Sequence, residues 1–331
     1  MGSESRNRYL LKNTLIFTLG NIGSRMISFF LIPLYTNVLT TSQYGTVDLI
    51  TTISTVAGPM LTLNIAESVM RFGLDKDADK EKNTQCGSIV LLIAMIIGLV
   101  LIPICRCITE VSDYAMYVYF YVISLSASQL FLCDLRGKEL LLKYSLGNIL
   151  QTLMIAILNI TFLLVFKMET GGYLLAYIIA NFIVAIYAII AGKGYKAFSF
   201  HNIDRCKLKE MIRYSVVLIP NTFMWWIMNS SDRVMVTYMI GAAANGIYAV
   251  SYKLPTLVST LTGIFNQAWS YSAIREEGTS DETEYNNKMF KTLSAIAFMM
   301  GIGLLLLTKP FLGVYVADSY YDAWKYTPFL I

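Results

Sequence analysis

Long apolar runs of about 20 residues alternate with short polar connections along the chain. As a helix rising about 1.5 Å per residue, such a run crosses a hydrocarbon core of about 30 Å. The pattern predicts nine full spans, at 12–38, 45–72, 86–105, 113–133, 144–166, 171–192, 211–240, 245–273 and 289–308, and a tenth starting near 321. The runs are continuous, whereas a barrel strand alternates apolar and polar residues. The chain therefore reads as an all-α polytopic membrane protein.

Polar residues inside these spans fall at helical spacing. In the first, Thr14, Thr18, Asn21, Arg25 and Ser28 share one face. In the seventh, Thr222, Trp226, Asn229, Arg233 and Thr237 form a similar stripe. In the eighth, Lys253, Thr256, Thr260, Gly263, Gln267 and Ser270 do so. A charge at membrane depth is costly and by default faces a cavity or a partner. Arg25, Arg233 and Lys253, with few carboxylates to balance them, point to an anionic ligand. Arg suits phosphate oxygens by bidentate geometry and Lys as a point charge. Asn21, Asn229 and Gln267 supply amides for sugar hydroxyls. Asp232 is a counter-ion for a cation on a neighbouring helix, a coupling site for H⁺ or Na⁺, or half of a structural pair. Glu67 and Arg71, four residues apart at the end of the second span, are expected to pair as a gate. Asp48 is either an outer gate or a headgroup-level residue.

Composition agrees with a membrane setting: 56% of residues are hydrophobic and 15% charged, against about 25% charged in an ordinary soluble domain. The net charge of +4 says less than its distribution. Nineteen of the 26 Lys and Arg fall in connections or at span ends on one side and four on the other, with three deep inside spans. The positive-inside rule then predicts a cytoplasmic N-terminus. The basic segment 193–210 divides a six-span lobe, 1–192, from a second lobe, 211–331. An offset of 201 residues sets Tyr44-Gly45 on Asn245-Gly246, a faint internal repeat of the kind common in transporters. The polar N-terminus and long first run do not read as a cleaved signal peptide.

Other chemistry finds little support. His201 is the single histidine, which excludes histidine triads and histidine metal clusters. Cys86, Cys105, Cys107, Cys133 and Cys206 lack paired spacing. The acidic stretch 75–81 lacks the glycine and the final glutamate of an EF-hand loop. No phosphate-binding P-loop or dinucleotide fingerprint occurs, and no connection is long enough for a nucleotide-sugar domain. The expectation is neither an enzyme nor a nucleic-acid binder, with no metal and no organic cofactor.

The series Tyr44-Gly45, Ile65-Ala66-Glu67 leading to Arg71-Phe72-Gly73, Asn229-Ser230-Ser231-Asp232-Arg233, Gly246-Ile247-Tyr248, Ser251-Tyr252-Lys253-Leu254-Pro255 and Phe265-Asn266-Gln267-Ala268-Trp269 resembles the Wzx-type polysaccharide flippases. These belong to the MATE-like multidrug/oligosaccharidyl-lipid/polysaccharide (MOP) superfamily. The resemblance implies two six-helix lobes around a cationic cavity. It implies that an undecaprenyl-diphosphate-linked glycan moves from the cytoplasmic to the outer leaflet of the bacterial inner membrane. Alternating access would be driven by a H⁺ or Na⁺ gradient, with Arg25, Arg233 and Lys253 holding the pyrophosphate. Polysaccharide polymerase and glycosyltransferases would be partners. The family has more spans than this chain supplies, so the second lobe is expected to be truncated. Alternatives are a MATE-type drug or cation antiporter, and a non-transporting membrane partner of glycan assembly.

Overall fold

The computed structural model describes residues 27–75, 78–106, 111–198, 204–260, 262–263 and 282–330. Every regular element among them is helical. The major helices are α1 (Ile27–Val38), α2 (Thr41–Leu61), α3 (Ile65–Gly73), α4 (Lys80–Arg106), α5 (Ala115–Gly137), α6 (Leu141–Ile160), α7 (Glu169–Ala191), α8 (Arg205–Met239), α9 (Ala242–Ser251) and α10 (Glu282–Tyr315). Five stretches are long and apolar enough to cross a membrane, and the bent pair α2–α3 makes a sixth. Of the other three expected spans, the first and eighth are only partly within the described residues. The seventh is α8, less apolar because it carries the polar stripe.

The span expected at 45–72 is broken rather than straight. α2 and α3 meet at a bend of 60°. Pro59 sits in the last turn of α2, where its ring removes a backbone donor. Leu63 and Asn64 then take left-handed backbone with φ of 52° and 54°, a conformation that asparagine tolerates better than most residues. At its other end α2 starts on a capping box, with Thr40 and Gln43 satisfying each other's backbone donors.

The connection expected between the seventh and eighth spans shrinks to Ile240 and Gly241. α8 runs to Met239, and the Ala-rich segment from Ala242 is already helix. Alanine has the highest helix propensity, and Gly241 with φ of 122° absorbs the reversal. The chain is helical again at 253–260. α8 also starts six residues before the expected 211: Asp204 caps it by accepting from the Lys207 backbone N–H at 3.0 Å.

No tenth span starts near 321. The segment Asp318–Lys325 forms 3₁₀ turns too polar for lipid, with Lys325 paired to Asp322 at 2.8 Å. It folds back on the bundle, where Tyr320 is fully buried and donates to the Leu39 carbonyl at 3.0 Å.

The buried side chains form two clusters. One holds Ile65, Val69, Leu130, Leu135, Val184 and Met211, from α3, α5, α7 and the start of α8. The other holds Tyr35, Tyr44, Ile50 and Leu174 together with Ala249, Leu254 and Tyr320. It joins the first lobe to the segments after α8 at a single end of the bundle. The start of α8 makes a second contact with the first lobe through Met211 in the other cluster.

Candidate functional site

α8 runs antiparallel to the bent α2–α3 pair along a polar seam. From the α9 end, the Arg233 guanidinium meets Asp48 at 3.1 Å. Trp226 Nε1 donates to the Thr52 carbonyl at 2.9 Å. Asn64 donates to Thr222 at 3.3 Å, and Ser68 to the Met211 carbonyl at 3.0 Å. Thr222, Trp226 and Arg233 of the seventh-span stripe are thus seam residues. Arg233 is 17% exposed and Asp48 6%, so this is a largely desolvated pair that needs further hydrogen bonds. Asn245 of α9 supplies them: its Nδ2 donates to the Gly45 carbonyl at 2.9 Å and reaches Asp48 Oδ2 at 3.5 Å. Tyr252 offers its ring to the guanidinium at 5.1 Å. Arg233 Nε and Asn245 Oδ1 are buried without a partner among the described residues.

Two glycines allow this approach. A Cβ on Gly45 would lie 1.8 Å from the Ala242 carbonyl oxygen, and one on Gly246 would lie 2.0 Å from that of Thr41. These are the positions that the 201-residue offset brings together in sequence; the fold brings them together in space.

Two cavities flank the seam. The smaller, about 330 Å³, lies between α1 and the helix 253–260. Lys253, Ser28, Thr256 and Thr260 are its polar lining. The Lys253 ammonium makes no hydrogen bond or ion pair among the described residues. The larger, about 780 Å³, opens at the α2–α3 bend, between α3, α5, α6 and α8. Asn64, Gln129, Asn148, Gln151 and Asn221 line it with carboxamides. Tyr144 and Tyr214 add aromatic faces, and Glu67 and Arg136 add opposite charges. Helical spacing of Tyr144, Asn148 and Gln151 along α6 was a legible signal for this cavity. Sequence reasoning missed it because the other side chains come from three separate helices.

The expected site residues part company here. Lys253 lines a cavity. Arg233 instead holds Asp48, a partner that sequence reasoning left open. Asp232 is not its counter-ion: it accepts from the Tyr248 hydroxyl. Adjacent helix positions do not face one another, so Asp232 and Arg233 turn to different neighbours. Asn229 is exposed and donates back to the Trp225 carbonyl at 2.7 Å. The expected Glu67–Arg71 pair is not formed; Arg71 meets Asp75 at 2.5 Å, half exposed. Glu67 is turned into the larger cavity, and Arg71, at the end of α3, reaches onward into the loop. Arg25, Asn21 and Gln267 lie outside the described residues. No group of three or more His, Cys, Asp or Glu suited to a metal stands among the described residues.

The sequence pattern of the family described as "Polysaccharide biosynthesis protein" matches residues 10–271. No curated protein matches the chain by sequence. Among solved structures, the chain is similar to an outward-facing multidrug resistance MATE family transporter of the MOP superfamily. That match has 14% identity and a TM-score of 0.58, covering 96% of this chain and 77% of that one. A MATE structure in complex with MaD3S matches at 13% identity and a TM-score of 0.54, over 97% of this chain and 78% of that one. A third, in complex with MaD5, has 14% identity and a TM-score of 0.53, over 96% and 79%. At these identities the likeness is one of fold. With the match over most of its length, the chain belongs to the polysaccharide biosynthesis family of Wzx-type flippases, multi-pass membrane transporters with a MATE-like fold.

Proposed function

We propose that the protein flips an undecaprenyl-diphosphate-linked oligosaccharide from the cytoplasmic to the outer leaflet of a bacterial inner membrane. The carrying observation is Lys253, whose ammonium makes no ion pair or hydrogen bond among the described residues and opens into a cavity edged by the hydroxyls of Ser28, Thr256 and Thr260, beside Arg233. A cation held this way at membrane depth calls for a mobile anion, and a pyrophosphate supplies both charge and acceptors. The larger cavity suits the glycan: its carboxamides match sugar hydroxyls, and its tyrosines offer ring faces. The distribution of Lys and Arg supports a cytoplasmic N-terminus, which places the α2–α9 contact on the outer side. An ion gradient, H⁺ or Na⁺, drives the cycle, and polymerase and glycosyltransferases act before and after it.

Proteoliposomes carrying a fluorescent lipid-linked oligosaccharide test this. Wild type should expose the lipid to an external reagent, and Lys253→Ala should slow that exposure by about tenfold or more, the effect of losing one charge-assisted contact. Equal rates in wild type, Lys253→Ala and protein-free liposomes would overturn the reading.

Glu67 favours a second reading. A carboxylate in a cavity, with no ion pair among the described residues, is what a MATE-type cation antiporter would use. Drug resistance conferred by the wild type and lost in Glu67→Gln, with glycan export unaffected, would select it.

A further inference from the structure

We infer that a third cavity, at the base of α8, holds the phosphoethanolamine headgroup of a bilayer lipid. The site is separate from the two cavities beside the seam, and its test does not depend on flipping.

The cavity, about 340 Å³, lies between the end of α3, the start of α4 and the start of α8. Asn83 of α4 lines it and is only 1% exposed. Neither its Nδ2 nor its Oδ1 has a partner among the described residues. Buried polar groups are nearly always hydrogen-bonded, and an unmade bond is costly. An occupant that satisfies Asn83 must therefore accept one hydrogen bond and donate another.

The walls carry both signs of charge. Lys82 and Lys207 supply two ammonium groups, and Asp75, Asp79 and Asp204 supply three carboxylates. Lys207 Nζ is held at the wall, 4.1 Å over the Phe72 ring and 3.1 Å from Glu210. The carboxylates are each engaged by a local donor. Asp75 takes Arg71 at 2.5 Å, Asp79 takes the Lys82 backbone N–H at 3.1 Å, and Asp204 takes that of Lys207 at 3.0 Å. Carboxylates tied in this way do not converge as a metal cage, but they still attract a cationic donor.

A zwitterion with N–H donors meets these demands. Its phosphate accepts from Asn83 Nδ2 and from the lysines, and its primary ammonium donates to Asn83 Oδ1 and the carboxylates. A choline headgroup has no N–H to donate. A phosphoglycerol headgroup donates through hydroxyls but brings no cation to the three carboxylates. Depth favours a lipid over a soluble zwitterion. Asn83 lies one turn ahead of the apolar run that begins at 86, about 5 Å outside the hydrocarbon at 1.5 Å per residue, at headgroup level. Tyr214 meets the Phe72 ring edge-on at 5.7 Å, as aromatic residues do at a membrane interface. A headgroup here ties the base of α8 to α3 and α4, beside the packing of Met211.

Native mass spectrometry of the purified chain tests this. The chain is stripped of lipid in detergent, then offered equimolar phosphatidylethanolamine, phosphatidylcholine and phosphatidylglycerol. Wild type should retain one phosphatidylethanolamine in preference to the others. Asn83→Leu should lower that retention by about tenfold, the effect of losing two hydrogen bonds. Melting curves on the same samples carry a second sign. Without lipid, Asn83→Leu should melt no lower than wild type, because it removes an unpaired buried amide. With phosphatidylethanolamine, wild type should melt higher. If Asn83→Leu does not fold, Lys207→Gln decides, with phosphatidylethanolamine retention lowered several-fold and phosphatidylcholine retention unchanged. Equal retention of the three lipids overturns the inference and leaves a water-filled cavity. Preference for phosphatidylglycerol overturns the zwitterion, and a preference for phosphatidylethanolamine that survives the variants overturns the location. Equal protection by free O-phosphoethanolamine overturns the lipid source.

Discussion

Gly45 and Asp48 lie three residues apart on α2 and do different work at one contact. The glycine sets how close the backbones come, and the aspartate holds them there by charge. A methyl group on Gly45 would collide with a helix carbonyl, which cannot turn aside as a side-chain tip can. Gly45→Ala should therefore cost about 1–3 kcal/mol, the usual penalty of overpacking. The melting temperature in detergent should fall by several degrees, and an unchanged melt would show that the lobes can slide past each other. Gly45 was visible in the sequence as half of Tyr44-Gly45, but its role was not. A glycine in an apolar run gives no sign of which carbonyl will face it. Arg233 shows the same limit. Its cost at membrane depth was legible from the sequence, but its partner, 185 residues away, was not.

The element that decides most is the α2–α3 pair. Read by apolar periodicity it is one span; in the fold Pro59 and Asn64 divide it. The bend matters because Asn64 and Glu67 then line the larger cavity. Asn64→Gly should be tolerated, because glycine takes positive φ without strain. Asn64→Ala should destabilise by about 1 kcal/mol and also lose the contact to Thr222. Thermal unfolding of the two variants should order them Gly above Ala; the reverse order would mean that the left-handed turn is not under strain. A similar tie holds α4, α5 and α7 together. Asp134 accepts from Thr84 at 2.5 Å and pairs with Lys138 at 2.6 Å, which in turn donates to the Gly192 carbonyl at 2.9 Å.

At the scale of the whole molecule, orientation and closure are linked. If basic connections face the cytoplasm, then Cys206, exposed near the start of α8, is inside, and Ser42, near the start of α2, is outside. In intact cells a membrane-impermeant maleimide should label Ser42→Cys, in a background lacking other cysteines, and spare Cys206. Disrupted cells should label both. The opposite pattern would invert the membrane orientation and put the Asp48–Arg233 contact on the cytoplasmic side.

The sequence by itself determined the solvent and the class of fold. Length, apolarity and period act residue by residue, so the runs at 86–105, 113–133, 144–166 and 171–192 could be read directly as the spanning parts of α4, α5, α6 and α7. It also determined which side chains are costly in a membrane. Only the tertiary structure decided what each of them meets. Asp48 faces Arg233, Arg71 turns to Asp75, Asp232 turns to Tyr248, and Lys253 is left to a cavity. The reason is physical. Helical spacing states which residues share a face, but the neighbour of that face depends on how bent helices pack. Here the packing turns on left-handed residues at 63 and 64, a reversal at Gly241 and two facing glycines.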